Sequence, residues 1–165
     1  WIDRLRKHKP LLVAGDGLNY FQFLPAPDAG EAFAGLLGLS ASFGQVVNMA
    51  NPTPITWVEW HRAVAAVLNV EAELVGAPQE LLIAIDSERY GGLRGNFGHS
   101  QVFRNRALET LLPEWRPVTD RHAHIAATID WMDRHGRAAD SDADTLEDQI
   151  IAALRGLPAR VALEG

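Results

Sequence analysis

Cysteine is absent from the 165-residue sequence, and lysine occurs only as Lys7 and Lys9. The absence of cysteine excludes disulfide bonds and thiolate catalysis, and it is typical of a cytoplasmic protein. No apolar run approaches the roughly 20 residues that a membrane-spanning helix needs, so we expect no membrane contact. We also expect no nucleic-acid partner, because a net charge of −6 argues against the basic face that such a partner requires.

The amino terminus has no initiator methionine and no signal-peptide pattern. Residues 1–10, WIDRLRKHKP, have the pattern of the end of an amphipathic helix that stops before Pro10. We therefore expect a longer protein of which residues 1–165 form one domain, since a hydrophobic content of 47% suits one core of this size.

Short apolar runs alternate with helical periods in the first half, and helices dominate the second half. This order predicts an α/β fold with a few strands, packed helices and a helical tail. The predicted strands are 11–15, 20–24, 44–51 and 72–78, with a short one at 101–105. The predicted helices are 28–37, 56–70, 79–86, 106–112, 124–134 and 145–157, and the glycine-rich segment 87–100 is predicted as a mobile loop.

Two of the predicted helices begin with capping patterns. Asp28 has Glu31 three residues later, which predicts that Asp28 is the N-cap of its helix. Thr56 has Glu59 at the same spacing and predicts a capping box, in which each side chain bonds the other residue's backbone N–H.

The stretch VAGDGLNYFQF, residues 13–23, looks at first like a phosphate-binding glycine turn. The dinucleotide fingerprint G-x-G-x-x-G needs a third glycine and a following helix. Here Gly15 and Gly17 are followed by Tyr20 within the pattern of an apolar strand. We predict a tight strand-to-strand turn in which glycine adopts positive φ, and no cofactor site in this chain.

Histidine and acidic clusters suggest metal sites that their spacing does not favour. The histidines within 120–124 stand two residues apart, which puts them on different faces of a helix. The acidic run 140–144 begins like a calcium loop, but Thr145 and Ile151 stand where glycine and glutamate are needed. We expect no metal site, and we interpret the acidic run as the cap of the following helix.

The segment 87–101 carries the side chains most suited to binding a ligand. One hypothesis is that its donors hold a polar or anionic molecule, and the other is that the segment is a solvated loop without a ligand. Tyr90 precedes Arg94 by four residues, as in the tyrosine–lysine pair of hydride-transferring reductases, but arginine cannot easily relay a proton. We therefore assign no catalytic residue. The candidate donors are Arg89, Arg94, Asn96, His99 and Gln101.

Five segments follow one another in a specific order: KPLLVAGDGLNYFQF, DAGEAFAGLLG, GQVVNMANPTPITWVEWHRAVAAVLNV, AELVGAP, and VFRNRALETLLPEWRPVTD with the later TIDWMD. This order resembles the C-terminal half of extended short-chain dehydrogenase/reductases, the NAD-dependent epimerase/dehydratase family. The resemblance covers nearly the whole chain.

The resemblance implies the C-terminal portion of a Rossmann-type epimerase/dehydratase. Residues 1–165 would be a single substrate-binding domain, and the N-terminal dinucleotide-binding part would lie outside the sequence. The parent would use NAD or NADP on a small polar, sugar-like substrate, with the cofactor and the catalytic tyrosine held by the N-terminal half. The alternative is a non-enzymatic protein of the same fold that senses a dinucleotide or acts as a scaffold. A homo-oligomer is a further expectation.

The sequence departs from the family pattern at four places, one of which is His124, where glycine is usual. Phe21 stands where sugar-nucleotide members often carry an arginine for the diphosphate, so we expect a smaller or less anionic substrate than a nucleotide sugar. Residues 25–28 keep only the last acid of the usual His/Tyr-Val-Asp-Asp, and 103–106 replace Phe-Asp-x-x-Lys. Strand ends and the glycine-rich segment supply the predicted substrate-binding residues, which are Asn19, Tyr20, Phe21, Arg94, His99 and Gln101.

Overall fold

The computed structural model describes residues 1–157 as short strands and packed helices. The strands are β1 (Leu11–Ala14), β2 (Tyr20–Phe21), β3 (Ile55–Thr56) and β4 (Leu74–Ala77). The helices are α1 (Ile2–Arg6), α2 (Ala26–Leu36), α3 (Trp57–Val67), α4 (Gln79–Ile85), α5 (Ser87–Tyr90), α6 (Arg106–Leu111), α7 (Arg121–Arg134) and α8 (Leu146–Gly156), with 3₁₀ turns at Ser40–Ser42 and Gly91–Arg94. Within 1–157 every helix is too short or too polar to cross a bilayer. The predicted α/β order is confirmed.

The strands form two separate pairs. β1 runs parallel to β4, with Leu11 opposite Leu74 and Ala14 opposite Ala77. β2 runs antiparallel to β3, with Tyr20 opposite Thr56. The carboxyl ends of β1 and β4 therefore lie at one edge, which is the edge where open α/β folds bind ligands.

Two apolar clusters form the core. The larger lies between α1, β1, α3 and α7, and the smaller joins β4, α4 and α8. Both consist of side chains that the helical and strand periods point inward. The buried members of the larger cluster are Leu5, Leu11, Val64, Ala65, Ile125 and Ile129, and those of the smaller are Ala77, Leu82 and Ile150.

The capping box predicted for α3 is confirmed. The backbone N–H of Glu59 donates to Thr56 Oγ1 at 3.2 Å, and the backbone N–H of Thr56 donates to Glu59 Oε2 at 2.8 Å. The bond from the Thr56 N–H, and a second one that the Thr56 hydroxyl donates to Oε2 at 2.8 Å, favour the carboxylate and hold the pKa of Glu59 below its ordinary value. In the same first turn of α3, the N–H of Val58 donates to the carbonyl of Gly17 at 3.0 Å. The start of α3 is thus tied to the glycine turn.

A row of ion pairs joins the end of α1 to the segment 133–142, and we call it the α1 seam. Arg6 bonds Asp133 at 2.6 Å. Lys7 bonds Asp140 at 2.6 Å and Asp142 at 2.7 Å. The acidic run that resembled a calcium loop therefore serves in part as the ion-pair partner of Lys7, at the end of α1.

Arg4 lies beneath the seam and is almost fully buried. Its Nε and one terminal nitrogen donate to the carbonyl of Pro10 at 3.0 and 2.8 Å. The same terminal nitrogen donates to Asp148 at 2.6 Å, and Glu147 lies 3.3 Å from Nε. Glu147 also accepts the N–H of Leu12 at 2.8 Å. One guanidinium thus joins α1, the start of β1 and α8.

The prediction of a strand at 44–51 is wrong, because this segment pairs with no strand among residues 1–157. Residues 45–51 follow an irregular path and have no strand partner among residues 1–157. Their apolar pattern is that of a strand, but a strand also needs a neighbour to bond its backbone. The short strand expected at 101–105 is likewise coil.

Two further predictions need correction. Asp28 is not the N-cap of α2, because that helix begins at Ala26; its buried carboxylate accepts the N–H groups of Val118 and Thr119 at 3.0 and 3.2 Å. The loop prediction is also wrong for 87–94, which form α5 and a 3₁₀ turn. The side chain of Asp86 caps α5 by accepting the N–H groups of Glu88 and Arg89, and the sequence analysis did not predict this cap.

Candidate functional site

The glycine turn between β1 and β2 has the conformation that its sequence predicts. Gly15 has a φ of +61° and Gly17 a φ of +70°, in the left-handed region that glycine favours. The N–H of Gly17 bonds the carbonyl of Ala14 at 3.2 Å, and its own carbonyl caps α3. Because these groups are bonded within the protein and a strand follows the turn, the residues present do not fit a dinucleotide phosphate.

The structure brings β2 and the segment 98–101 together. Asn19 Nδ2 donates to the carbonyl of Gly98 at 2.8 Å. The N–H of Tyr20 donates to Ser100 Oγ at 3.0 Å, and its carbonyl accepts the N–H of Gln101 at 2.8 Å. Three predicted site residues, Asn19, Tyr20 and Gln101, therefore meet at the carboxyl edge of the parallel strands.

Phe21 lies beside this group, but its half-buried ring packs against two tryptophans of α3. The ring stacks on Trp57 with a centroid distance of 4.1 Å and meets the edge of Trp60 at 6.1 Å. Phe97 approaches Trp57 at 5.9 Å. An aromatic cluster thus occupies the position where the family often carries an arginine, and it links β2 to α3 and to the segment 91–101.

Arg94 and His99 line a cavity of about 430 Å³ together with Gln79 and Glu80. Both predicted residues are exposed, and within residues 1–157 Arg94 forms no ion pair. The cavity combines a guanidinium and an imidazole with the carboxylate of Glu80. Such a mixed set suits hydroxyl, amino or single acidic groups better than a doubly charged diphosphate.

Two amide side chains that the sequence reasoning missed hold this region in place. Gln22 Nε2 donates to the carbonyl of Asn51 at 2.7 Å, and Gln22 Oε1 accepts the N–H of Phe103 at 2.5 Å. Buried Asn105 accepts the N–H of Ala50 at 3.0 Å and donates to its carbonyl at 2.6 Å. The role of Gln22 could have been suspected because it is a polar residue within the apolar run YFQF. No local pattern indicates the role of Asn105.

No protein-family model matches the chain. A 2'-dehydrokanamycin reductase from Streptomyces kanamyceticus is 29% identical over 164 residues, which cover 98% of this chain and 44% of that protein. UDP-glucuronic acid 4-epimerase from Bacillus cereus, solved with UDP-glucuronic acid and NAD, has a TM-score of 0.61 at 15% identity and covers 81% of this chain and 38% of its own. The chain has the fold of the C-terminal part of NAD-dependent epimerases and dehydratases.

The dTDP-glucose 4,6-dehydratase of Bacillus anthracis, solved with NAD, shows the same epimerase/dehydratase fold with a TM-score of 0.54 at 18% identity, over 81% of this chain and 37% of its own. The chain thus spans less than half the length of the relatives it matches. Across 1–157, no group of three or more histidine or acidic side chains is arranged to hold a metal ion.

Gly98 lets the two parts of the site meet in this epimerase/dehydratase fold. A Cβ there would lie 2.0 Å from the carbonyl oxygen of Leu93 and 2.2 Å from Gln79 Oε1. We expect Gly98→Ala to shift the segment, break the bond from Asn19 and lower the free energy of unfolding by about 1–3 kcal/mol. Denaturant unfolding measures the loss, and hydrogen exchange at Tyr20 and Gln101 reports the shift.

Gly91→Ala is the matched control. A Cβ on Gly91 meets nothing within 4 Å, and its φ of −57° is ordinary for alanine. This substitution is expected to leave stability unchanged or to raise it by less than about 1 kcal/mol. Equal effects of the two substitutions would contradict the close approach at Gly98.

Proposed function

We propose that this chain is the substrate-binding portion of an NAD(P)-dependent epimerase/dehydratase-like oxidoreductase that acts on a small polar, sugar-like substrate. The observation that carries the proposal is the junction of β2 with 98–101 at the carboxyl edge of β1 and β4, beside exposed Arg94 and His99. Ligands of open α/β folds bind at this edge, on loops held by a rigid scaffold.

The charges of the site favour a sugar ring over a nucleotide diphosphate. Arg94 and His99 supply donors, while Glu80 supplies an acceptor that repels a dianion. Phe21 offers a packed ring where an arginine would bind a diphosphate. Of the relatives, one is named a 2'-dehydrokanamycin reductase and another is solved in complex with UDP-glucuronic acid. We favour the first kind of substrate, a sugar or aminosugar that carries a carbonyl group.

We assign NAD or NADP to an N-terminal part that this sequence does not contain. The glycine turn does not fit the cofactor, and the solved structures extend well beyond the aligned region. An apolar face, here called the α2 surface, supports the assignment, because large exposed apolar patches mark interfaces. In the α2 surface Leu37 is 80% exposed and Phe43 70%; its other members are Phe33, Leu36, Val47 and Met49.

The N-terminal part would cover the α2 surface and supply the neighbour that residues 45–51 lack among those described. This segment has the apolar pattern of a strand without a strand partner. Pairing with a sheet of the N-terminal part would satisfy its backbone and remove Val46 from water. The substrate site of this chain would then lie beside a cofactor bound by the N-terminal part.

Replacing Arg94 with alanine in the parent protein tests the proposal. We expect kcat/KM to fall about tenfold, because a charge-assisted hydrogen bond to the substrate is lost. The assay follows oxidation of NADH and NADPH with a panel of keto-sugars that includes 2'-dehydrokanamycin, and it compares UDP-glucuronic acid as an anionic competitor.

Arg62→Ala serves as the control, because Arg62 is an exposed residue of α3 that does not line this cavity. Equal kcat/KM for the two variants would remove Arg94 from the site. A parent protein that binds a dinucleotide but reduces none of these substrates would instead favour the sensor or scaffold hypothesis.

A further inference from the structure

The lining of the 430 Å³ cavity beside Arg94 carries both signs of charge. The first turn of α4 contributes the carboxylate of Glu80, while Arg94 and His99 come from the segment 91–101. Ile83 and Ala84 supply the apolar part of the lining. A ligand in this cavity would therefore meet a guanidinium, which can only donate hydrogen bonds, and a carboxylate, which can only accept them.

Glu80 and Arg94 line the same cavity without pairing with each other. Among residues 1–157 neither side chain forms an ion pair, and the guanidinium of Arg94 makes no hydrogen bond. Nearby Arg89, by contrast, is already paired with Asp144. The two unpaired charges of the cavity are therefore both available to one ligand that lies between them.

Gln79 orients the carboxylate of Glu80. A Cβ on Gly98 would lie 2.2 Å from Gln79 Oε1, so this amide packs directly against the backbone of Gly98. Gln79 Nε2 donates to Glu80 Oε1 at 3.2 Å. The other oxygen, Oε2, has no hydrogen-bond partner in the part of the chain that the structure describes. Oε2 is thus the acceptor that remains for a ligand.

A protonated amino group is the donor that suits this carboxylate best. A hydrogen bond between two charged groups is roughly twice as strong as one between neutral groups. Arg94 requires the opposite partner, an oxygen that accepts, and a sugar offers one on a neighbouring carbon. A phosphate or a uronate would pair with Arg94 but would be repelled by Glu80. The net charge of −6 on the chain also favours a cationic ligand over an anionic one.

We infer that the sugar-like substrate carries a protonated amino group that donates to Glu80 Oε2, while a neighbouring oxygen of the sugar accepts from Arg94. The inference rests on the proposed function, because it concerns the same site, and it narrows the substrate class to aminosugars. Glu80 is then the residue that selects an aminosugar over the sugar with a hydroxyl group at the same position.

Glucose and its 2-amino, 3-amino and 6-amino derivatives, each with one hydroxyl group replaced, test the inference on the parent protein. We expect the best amino derivative to bind about tenfold more tightly than glucose, as one charge-assisted hydrogen bond predicts. Nuclear magnetic resonance titration gives these affinities without turnover, and the ¹³C signal of the Glu80 carboxylate should move with that derivative but not with glucose. Equal affinities for all these sugars, or no binding of any, would overturn the inference.

Glu80→Gln keeps the size of the side chain and removes its charge, so it should abolish the preference for the amino derivative while glucose binds as before. Glu71→Gln is the matched control, because Glu71 is exposed and does not line this cavity. Loss of the preference in the control variant would contradict the role of Glu80. The preference should also disappear as the pH rises through the pKa of the sugar's amino group, and its persistence there would count against a charge pair.

The reduction of keto-sugars is measured separately and decides the proposed function. A parent protein that prefers the amino derivative through Glu80 but reduces no keto-sugar would contradict the proposed reaction and support the ligand class inferred here. A parent protein that reduces keto-sugars but binds glucose and its amino derivatives equally would contradict the inference alone.

Discussion

Replacing Arg4 with alanine is expected to lower the free energy of unfolding by about 3–5 kcal/mol. The guanidinium is 2% exposed and bonds the carbonyl of Pro10 as well as Asp148. Its removal leaves that carbonyl and two neighbouring carboxylates without their cation in a partly buried setting. Because small domains are stable by only about 5–15 kcal/mol, a loss of this size is a large share of the total stability.

Denaturant unfolding of Arg4→Ala beside Arg134→Ala measures this effect. Arg134 bonds Asp130 at 2.6 Å, but both side chains are largely exposed, so its loss should cost less than about 1 kcal/mol. Arg4→Lys, which keeps a charge but not the forked geometry, is expected to fall between the two. A loss for Arg4→Ala as small as that for Arg134→Ala would contradict the structural role of this buried cation.

Asn105→Ala is expected to lower the free energy of unfolding by about 2–6 kcal/mol. Asn105 is buried and exchanges two hydrogen bonds with the backbone of Ala50. The alanine leaves a buried N–H and a buried carbonyl without partners, and each such group costs about 1–3 kcal/mol. The segment that leads to the α2 surface would lose its attachment to the region beside the site.

Asn51→Ala is the matched control for this substitution. Asn51 accepts the N–H of Thr53 at 2.9 Å in an exposed turn, where water replaces the lost bond. Its expected cost is below about 1 kcal/mol. Thermal unfolding of both variants, together with Asn105→Asp, separates the cases, since aspartate keeps the acceptor but lacks the donor for the carbonyl. An Asn105→Ala protein as stable as Asn51→Ala would show that Ala50 finds other partners.

Features decided by neighbouring residues were predictable from the sequence. The capping box of α3 needs only Thr56 and Glu59, and the glycine turn needs only the conformational freedom of Gly15 and Gly17. The α/β order and the resemblance to the C-terminal part of epimerases and dehydratases also follow from local patterns read in sequence, and both are confirmed.

Features decided by distant partners were not predictable. Asp28 has the local pattern of a cap, yet its carboxylate bonds backbone groups about 90 residues later. Residues 45–51 have the pattern of a strand, but no strand within 1–157 pairs with them. The candidate donors of the site were predicted from their residue types alone. Their proximity depends on the hydrogen bond from Asn19 to Gly98, which no local sequence spacing predicts. The roles of the nominated residues in binding stay predictions.

The α1 seam sets how the protein responds to acid. Its cations hold the pKa of Asp133, Asp140 and Asp142 below the ordinary value of an aspartate. Because these pKa values are lower in the folded than in the unfolded chain, the seam contributes its stabilisation above about pH 4 and loses it as the pH falls through the lowered values. The two apolar clusters contain no titratable side chain. Acid should therefore break the ion pairs between α1 and the segment 133–142 while the larger cluster still holds α1 through Leu5.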